Sequence, residues 1–219
     1  MANIQIPITE NGTTTLATAG KYCDRNIEVN VNVPSAEPPT DWLAEFMDKY
    51  QANLEAANSF NYAFAGRGWT DETFNPPRPI IVTGACAQMF NQAQITSTKV
   101  PITIDSADTS NQSIFAYCSD LITIPSLKVT EKVPAFTAWW HNCRALETLN
   151  FTEDSVIAAD IPLDRCNALS NASVQTAINA LKDLTGLTAK KITLHADVGA
   201  NLTDEQKAAI TAKNWTLVY

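Results

Sequence analysis

The sequence predicts an α+β fold: a short N-terminal β module, a linker helix, a β solenoid built from repeats, and a C-terminal α/β cap. Three observations predict it. Apolar and polar residues alternate strictly near the N-terminus, a motif recurs about every 25 residues in the middle of the chain, and helix and strand signals alternate after residue 170. The corresponding domains are residues 1–34, 35–58, 59–170 and 171–219.

Residues 1–34 are typical of short strands. Isoleucines alternate over residues 4–8, Asn11-Gly12 is a hairpin signal before residues 13–18, and apolar residues alternate again over residues 27–33. A segment below roughly 40 residues rarely buries enough surface to fold alone. We therefore expect this module to complete its core against another chain; the alternative is that it packs on the rest of its own chain.

A proline-rich linker and one helix follow. Three prolines within residues 34–40 favour an extended spacer, and residues 41–58 predict a helix. Its apolar positions are spaced four and three residues apart, at Leu43, Met47, Tyr50, Leu54 and Ala57. This stripe either covers the end of the next domain or associates with the same helix in other copies.

The central segment repeats an aromatic or apolar residue at Phe64, Phe90, Phe115, Trp140 and Leu163. Three residues after each stand Arg67, Ala93, Cys118, Cys143 and Cys166, and the last three units continue with Leu121, Leu146 and Leu169. Short apolar strands are predicted at residues 100–104, 121–124 and 146–151. A fixed motif at this period indicates one coil of a solenoid per unit, with the cysteines as small buried fillers.

Residues 171–219 predict a closing cap. Ser170 or Ser173 can start a helix that ends at Gly186, and a strand is predicted at residues 190–197. The sequence Thr203-Asp-Glu-Gln206 is a capping box for a second helix, and residues 215–219 predict a last strand. A solenoid needs such a unit because its last coil would otherwise expose core and a strand edge.

Composition excludes several functional classes. The net charge is −8 without any basic run, so we expect no binding to nucleic acid. Apolar stretches are too short for membrane insertion, and the first residues lack the features of a secretory signal. The five cysteines show no C-x-x-C spacing, so neither a disulfide framework nor a zinc site is predicted.

No pattern predicts catalysis. His141 and His195 stand alone in sequence, and the repeat explains Cys143 better than a catalytic pairing with His141 does. Acid pairs at glycosidase-like separations are expected to be solvated loop residues: Glu153 with Asp154, Asp105 with Asp108, and Asp160 with Asp164. We therefore expect a non-enzymatic protein with no catalytic residue, no metal and no cofactor.

The Phe-x-x-Cys-x-x-Leu units resemble BspA-like leucine-rich repeats, although Arg67 and Ala93 depart from the pattern. The N-terminal stretches around Asn11-Gly12 and Cys23, and the tail from Leu181 to Trp215, resemble parts of structural proteins from phages and prophages of gut Firmicutes. The resemblance implies a virion location, docking to other virion proteins through residues 1–34, a homotrimer, and attachment to a host surface protein or glycan. It also implies a leucine-rich-repeat-like form for the predicted solenoid.

The expected function is that of a fibre or receptor-binding component of the virion, made in the host cytoplasm. Alternatives are a bacterial cell-surface BspA-like adhesin and a glycan-degrading enzyme of a tail tip. Four aromatic residues at unit boundaries are the predicted partner-binding residues: Trp69, Phe74, Phe136 and Trp139. The competing hypothesis for the tryptophans is that they pack into the core.

Overall fold

A computed structural model describes residues 5–10, 13–18 and 42–219, and the chain divides into two compact parts, Met1–Pro39 and Thr40–Tyr219. In the N-terminal part, β1 (Gln5–Glu10) pairs with β2 (Thr13–Thr18) in antiparallel register, with Glu10 opposite Thr13. This pairing confirms the predicted hairpin. The strand predicted at residues 27–33 lies outside the described residues.

The C-terminal part is mixed α/β and contains two parallel sheets. One has the strand order β3-β4-β5-β6 and the other the order β7-β8-β9, and the described residues form no closed barrel. The elements are α1 (Trp42–Ala56), β3 (Ile80–Val82), β4 (Ile102–Ile104), β5 (Thr123–Val129), β6 (Thr148–Phe151), β7 (Ile161–Leu163), α2 (Asn171–Ala180), β8 (Lys190–Leu194), α3 (Ala196–Ala200), α4 (Asp204–Ala212) and β9 (Trp215–Val218).

The sequence period reappears in the packing of successive units. Ile102 pairs with Leu127 and Ile124 with Leu149, both 25 residues apart. On the inner side, the Phe90 ring stacks on Phe64 at 5.1 Å and on Phe115 at 5.2 Å between ring centroids. Identical side chains therefore occupy equivalent places in neighbouring units and form one continuous core.

A second repeated feature surrounds each central aromatic residue. The residues two before and two after it have positive φ in four consecutive units: Tyr62, Gln88, Ser113 and Ala138 before it, and Gly66, Gln92, Tyr117 and Asn142 after it. We call the segments 62–66, 88–92, 113–117 and 138–142 the turn ladder. Between these two positions, every second N–H points towards the following unit in the first three of the four units. Phe90, for example, donates to the Ile114 carbonyl at 2.7 Å, and Phe115 donates to the Trp139 carbonyl at 2.8 Å.

The repeated cysteines join this ladder from inside. The thiol of Cys118 donates to the Phe90 carbonyl at 2.8 Å, and the thiol of Cys143 donates to the Phe115 carbonyl at 2.9 Å. Cys166 approaches the Trp140 carbonyl at 3.8 Å. All three thiols are buried and free, which confirms the prediction made from their spacing. Cys118 and Cys143 thus each bond one unit to the unit before it.

Helix α1 covers the first unit. Met47 is fully buried, Tyr50 and Leu54 pack against the core, and Leu43 does the same. The Tyr50 hydroxyl donates to the Ala63 carbonyl at 2.5 Å, so it satisfies an acceptor that a preceding unit would otherwise use. These contacts confirm that the apolar stripe covers the end of the next domain, although Ala57 lies beyond the helix and is exposed.

Helix α2 closes the far edge of the first sheet. Its hydroxyl groups replace a neighbouring strand: Ser173 accepts from the Leu149 N–H at 2.9 Å, and Thr176 accepts from the Phe151 N–H at 3.1 Å. Ser170 is the N-cap, as predicted, but the helix ends at Ala180 rather than at Gly186. The helix ends there because the following backbone forms a parallel bridge with Ile157, in which the backbone N–H of Lys182 donates to the Ile157 carbonyl.

The rest of the cap follows the predicted order with two differences. The capping box at Thr203 starts α4, and β9 ends the chain, both as expected. The predicted strand at residues 190–197 ends earlier, at Leu194, because His195 caps the short helix α3. Strand β7 was not predicted; it pairs with β8 and joins the last repeat unit to the cap.

Candidate binding surface

Three of the four predicted contact residues are buried, so the prediction that they are exposed is wrong. Phe74 packs edge-on against Phe64 at 5.0 Å and belongs to the core of the first units. Phe136 packs against Trp139 at 4.7 Å, and neither ring is accessible. Their places at unit boundaries are inside the stack, where neighbouring units cover them.

Trp139 is held inside by both its ring and its indole nitrogen. The indole N–H donates to the Asn111 carbonyl at 3.1 Å, which satisfies the one polar group of the side chain in the interior. Asn111 is itself buried and accepts from the Cys86 N–H at 2.6 Å. Trp139 is therefore a core residue, as the competing hypothesis proposed, and its neighbours include Asn111 and Phe136.

Trp69 is half-buried and shares a neighbour, Phe64, with Phe74. It stacks on Tyr50 at 5.8 Å and meets Phe64 edge-on at 5.3 Å. With Trp42 and Phe46 of α1 it lines a shallow apolar hollow of about 380 Å³. Trp42 is 56% exposed, so the hollow is open to solvent. Trp69 therefore reaches solvent here, whereas Trp139 is buried.

A polar hollow lies on the outer face of the turn ladder. It has a volume of about 580 Å³ and is polar, lined among others by Arg67, Gln92, Gln94, Tyr117, Asp120 and Asn142. The Tyr117 ring is 50% exposed, and the His141 ring lies against it at 5.3 Å. An accessible aromatic ring among amide, guanidinium and carboxylate groups can stack on a ligand and exchange hydrogen bonds with hydroxyl groups.

Sequence reasoning missed this surface because it followed tryptophans. Three of the lining residues occupy the position two after a central aromatic residue: Gln92, Tyr117 and Asn142. Side chains at this left-handed position are not part of the buried set, and the unit before carries Gly66 there. The presence of Gly and Asn, which tolerate positive φ, was the available signal that this column turns outward.

The titratable groups have pKa values that fit structural roles. Burial raises the pKa of Cys86, Cys118 and Cys166 to about 12, and that of Cys143 well above its ordinary value, so these thiols are poor nucleophiles at neutral pH. Hydrogen bonds from Lys132 and Thr130 lower the pKa of Asp105 and keep it ionised.

Within residues 42–219 and the two N-terminal strands, no group of three or more His, Cys, Asp or Glu side chains could hold a metal ion. Among the same residues, no helix has both the length and the apolar character to cross a membrane. Comparisons of the chain with protein-family models, curated proteins and solved structures gave no match.

Proposed function

We propose that this chain is a non-enzymatic structural protein of a phage virion, and that its stacked units form a leucine-rich-repeat-like solenoid serving attachment. One observation carries the proposal. Backbone bonds at the same ladder positions connect the units of Phe64, Phe90, Phe115 and Trp140. The thiols of Cys118 and Cys143 and the stacked rings of Phe64, Phe90 and Phe115 add to these bonds, and the repeated pattern supports a stiff column that presents one outward side chain per unit. A stiff column of this kind suits the display of a binding surface.

The polar hollow around Tyr117 is the proposed attachment surface. Its residues come from successive units, so a ligand seated there would lie along the column and contact several units. Hydroxyl groups match the amide and charged side chains, and a sugar ring can stack on Tyr117. We therefore favour a host surface glycan as the ligand, with a host surface protein as the competing partner.

Residues 1–34 have a separate role in this proposal. They dock the chain on other virion proteins, and three copies associate as a homotrimer. The support is the sequence argument that a module of this size lacks a sufficient core of its own. The hairpin β1–β2 has open outer edges within the described residues, and such edges can pair with strands of a neighbouring chain.

The binding half of the proposal is tested with purified protein and host cells. Tyr117→Ala should lower cell binding by more than about tenfold, equivalent to about 1.4 kcal/mol. Tyr62→Ala is the matched control, because Tyr62 is an equally exposed tyrosine at positive φ on the other side of the ladder. Equal binding by the two variants would refute the assigned surface.

Location and enzymatic activity need different measurements. Cryo-electron microscopy of the particle should place the chain on the virion exterior, with residues 1–34 at the contact with other virion proteins. Finding the chain anchored on the bacterial surface instead would favour the adhesin. Release of reducing sugar from host polysaccharide by the purified protein would favour the tail-tip enzyme.

A further inference from the structure

The turn ladder has a direction, and its donor end is open. In the units of Phe64, Phe90 and Phe115, the alternate N–H groups donate to carbonyl groups of the unit that follows. Ala138, Trp140 and Asn142 occupy the same positions in the next unit, but their N–H groups donate to no other residue in the described part of the chain. The opposite end differs, because there Tyr50 covers the Ala63 carbonyl.

The stack loosens at this boundary. The thiol-to-carbonyl distance is 2.8 and 2.9 Å at Cys118 and Cys143 but 3.8 Å at Cys166, which belongs to the next unit. A hollow of about 220 Å³ opens between the two units, lined by Ala138, Trp140, His141, Pro162, Asp164 and Arg165. Ala138 and Trp140 thus border an accessible hollow in place of a row of carbonyl groups.

We propose that this hollow binds an oxyanion group, such as a carboxylate, sulfate or phosphate. An oxyanion accepts strong, charge-assisted hydrogen bonds from backbone N–H groups and guanidinium groups. Ala138 and Trp140, which both line this hollow, carry two of the open ladder donors. The buried Trp140 indole N–H also has no hydrogen-bond partner in the described residues.

Side-chain charge at the hollow supports the same ligand class. Arg165 lines it with an exposed side chain, and its contact with the neighbouring Asp164 is 3.3 Å long. Pro162 joins the hollow to a second one of about 360 Å³, which Lys190 and Lys191 line together with Asp160. Neither lysine forms a salt bridge to a described acid; Asp160 accepts from the Lys191 backbone N–H at 2.8 Å.

The expected affinity is modest. Two carboxylates, Asp160 and Asp164, stand near three cationic side chains, and the whole chain carries a net charge of −8. Long-range electrostatic attraction of the anion by the whole chain therefore does not contribute, and binding depends on the N–H groups and cationic side chains at the hollow. The site is separate from the hollow around Tyr117 and does not depend on the proposed role in the virion.

Amide NMR of the full chain, titrated with inorganic phosphate and with sulfate, tests the site directly. The amide signals of Ala138 and Trp140, which line the hollow, should shift and saturate. The equivalent amides of Ser113, Phe115 and Tyr117 should stay unchanged, because they are already bonded to residues 137, 139 and 141. Sodium chloride at matched ionic strength is the reference. Shifts that follow ionic strength alone, or that affect both sets equally, would overturn the proposal.

Matched variants separate this site from general charge effects. Arg165→Gln should weaken phosphate binding by about threefold or more, and Asp164→Asn should strengthen it by a similar factor. Arg144→Gln removes an exposed arginine that lines neither this hollow nor the one around Tyr117, and it should leave phosphate binding unchanged. Equal affinity in all three variants would refute the assigned hollow. Titration with an oligosaccharide of uronic acids and with its sulfated counterpart then distinguishes a polymer-borne anion, which should bind more tightly, from a free one.

Discussion

Replacement of Cys143 by alanine tests whether the thiol ladder stabilises the stack. The change removes a fully buried sulfur atom and its hydrogen bond to the Phe115 carbonyl at 2.9 Å. Lost burial contributes about 1 kcal/mol, in proportion to a removed methylene-sized group, and the unfilled space adds a fraction of that. A weak hydrogen bond contributes about 0.5 kcal/mol, so the free energy of unfolding should fall by about 2 kcal/mol.

Urea unfolding of the full chain, followed by tryptophan fluorescence, measures this loss. Cys166→Ala is the matched control, because it leaves a similar void while its sulfur lies 3.8 Å from the carbonyl. It should therefore cost about 0.5 kcal/mol less than Cys143→Ala. Cys143→Ser retains a donor and should recover part of the loss. A Cys143→Ala protein as stable as the original, at an unchanged denaturant slope, would refute the role of the ladder.

Three further predictions concern packing and pH. Gly84→Ala should lower the free energy of unfolding by about 1–3 kcal/mol, because the added Cβ would lie 2.2 Å from the Asn58 carbonyl oxygen. A Cβ at Gly68 would meet no atom within 4 Å, so Gly68→Ala should change thermal stability little. Trp139→Phe should lower the free energy of unfolding, measured in urea, by about 1–2 kcal/mol because it removes the indole hydrogen bond. Trp42→Phe alters an exposed ring and should change the same quantity by no more than about 0.5 kcal/mol. Burial raises the pKa of three thiols from 9.0 to about 12. The free energy of unfolding should therefore be unchanged below pH 9 and fall above it, by about 1.4 kcal/mol per thiol at pH 10. Equal urea midpoints at pH 8 and pH 10 would contradict this prediction.

Positions that repeat were predictable because stacking demands the same side chain at the same place. Phe90 and Phe115 must stack, and Cys118 and Cys143 must fit beneath them, so spacing alone identified them as core. The inside or outside placement of Trp139 was not predictable, because it depends on an acceptor supplied by Asn111 from the preceding unit.

Features that depend on competition between helix formation and strand pairing could not be predicted from the sequence either. The apolar stripe of α2 continues to Leu184, yet the helix ends at Ala180, because the following backbone pairs with Ile157. Likewise, Tyr117 carried no signal of its own; only the left-handed geometry of its position, shared with Gly66 and Asn142, turns it outward. Local sequence describes a unit well, whereas contacts between units decide which surfaces remain open.

The directional turn ladder also governs how this protein can change length. Donors of one unit match acceptors of the next at a spacing close to 25 residues, so tandem duplication of one whole unit preserves every bond at both junctions. Each added copy would extend the column by about 4.8 Å. Tyr50 would cover the first unit of the longer stack, and Ser173 with Thr176 would cover the last strand of its first sheet, as they do here. Insertions of partial units would instead misplace the left-handed residues, so variation in length should occur in whole repeats.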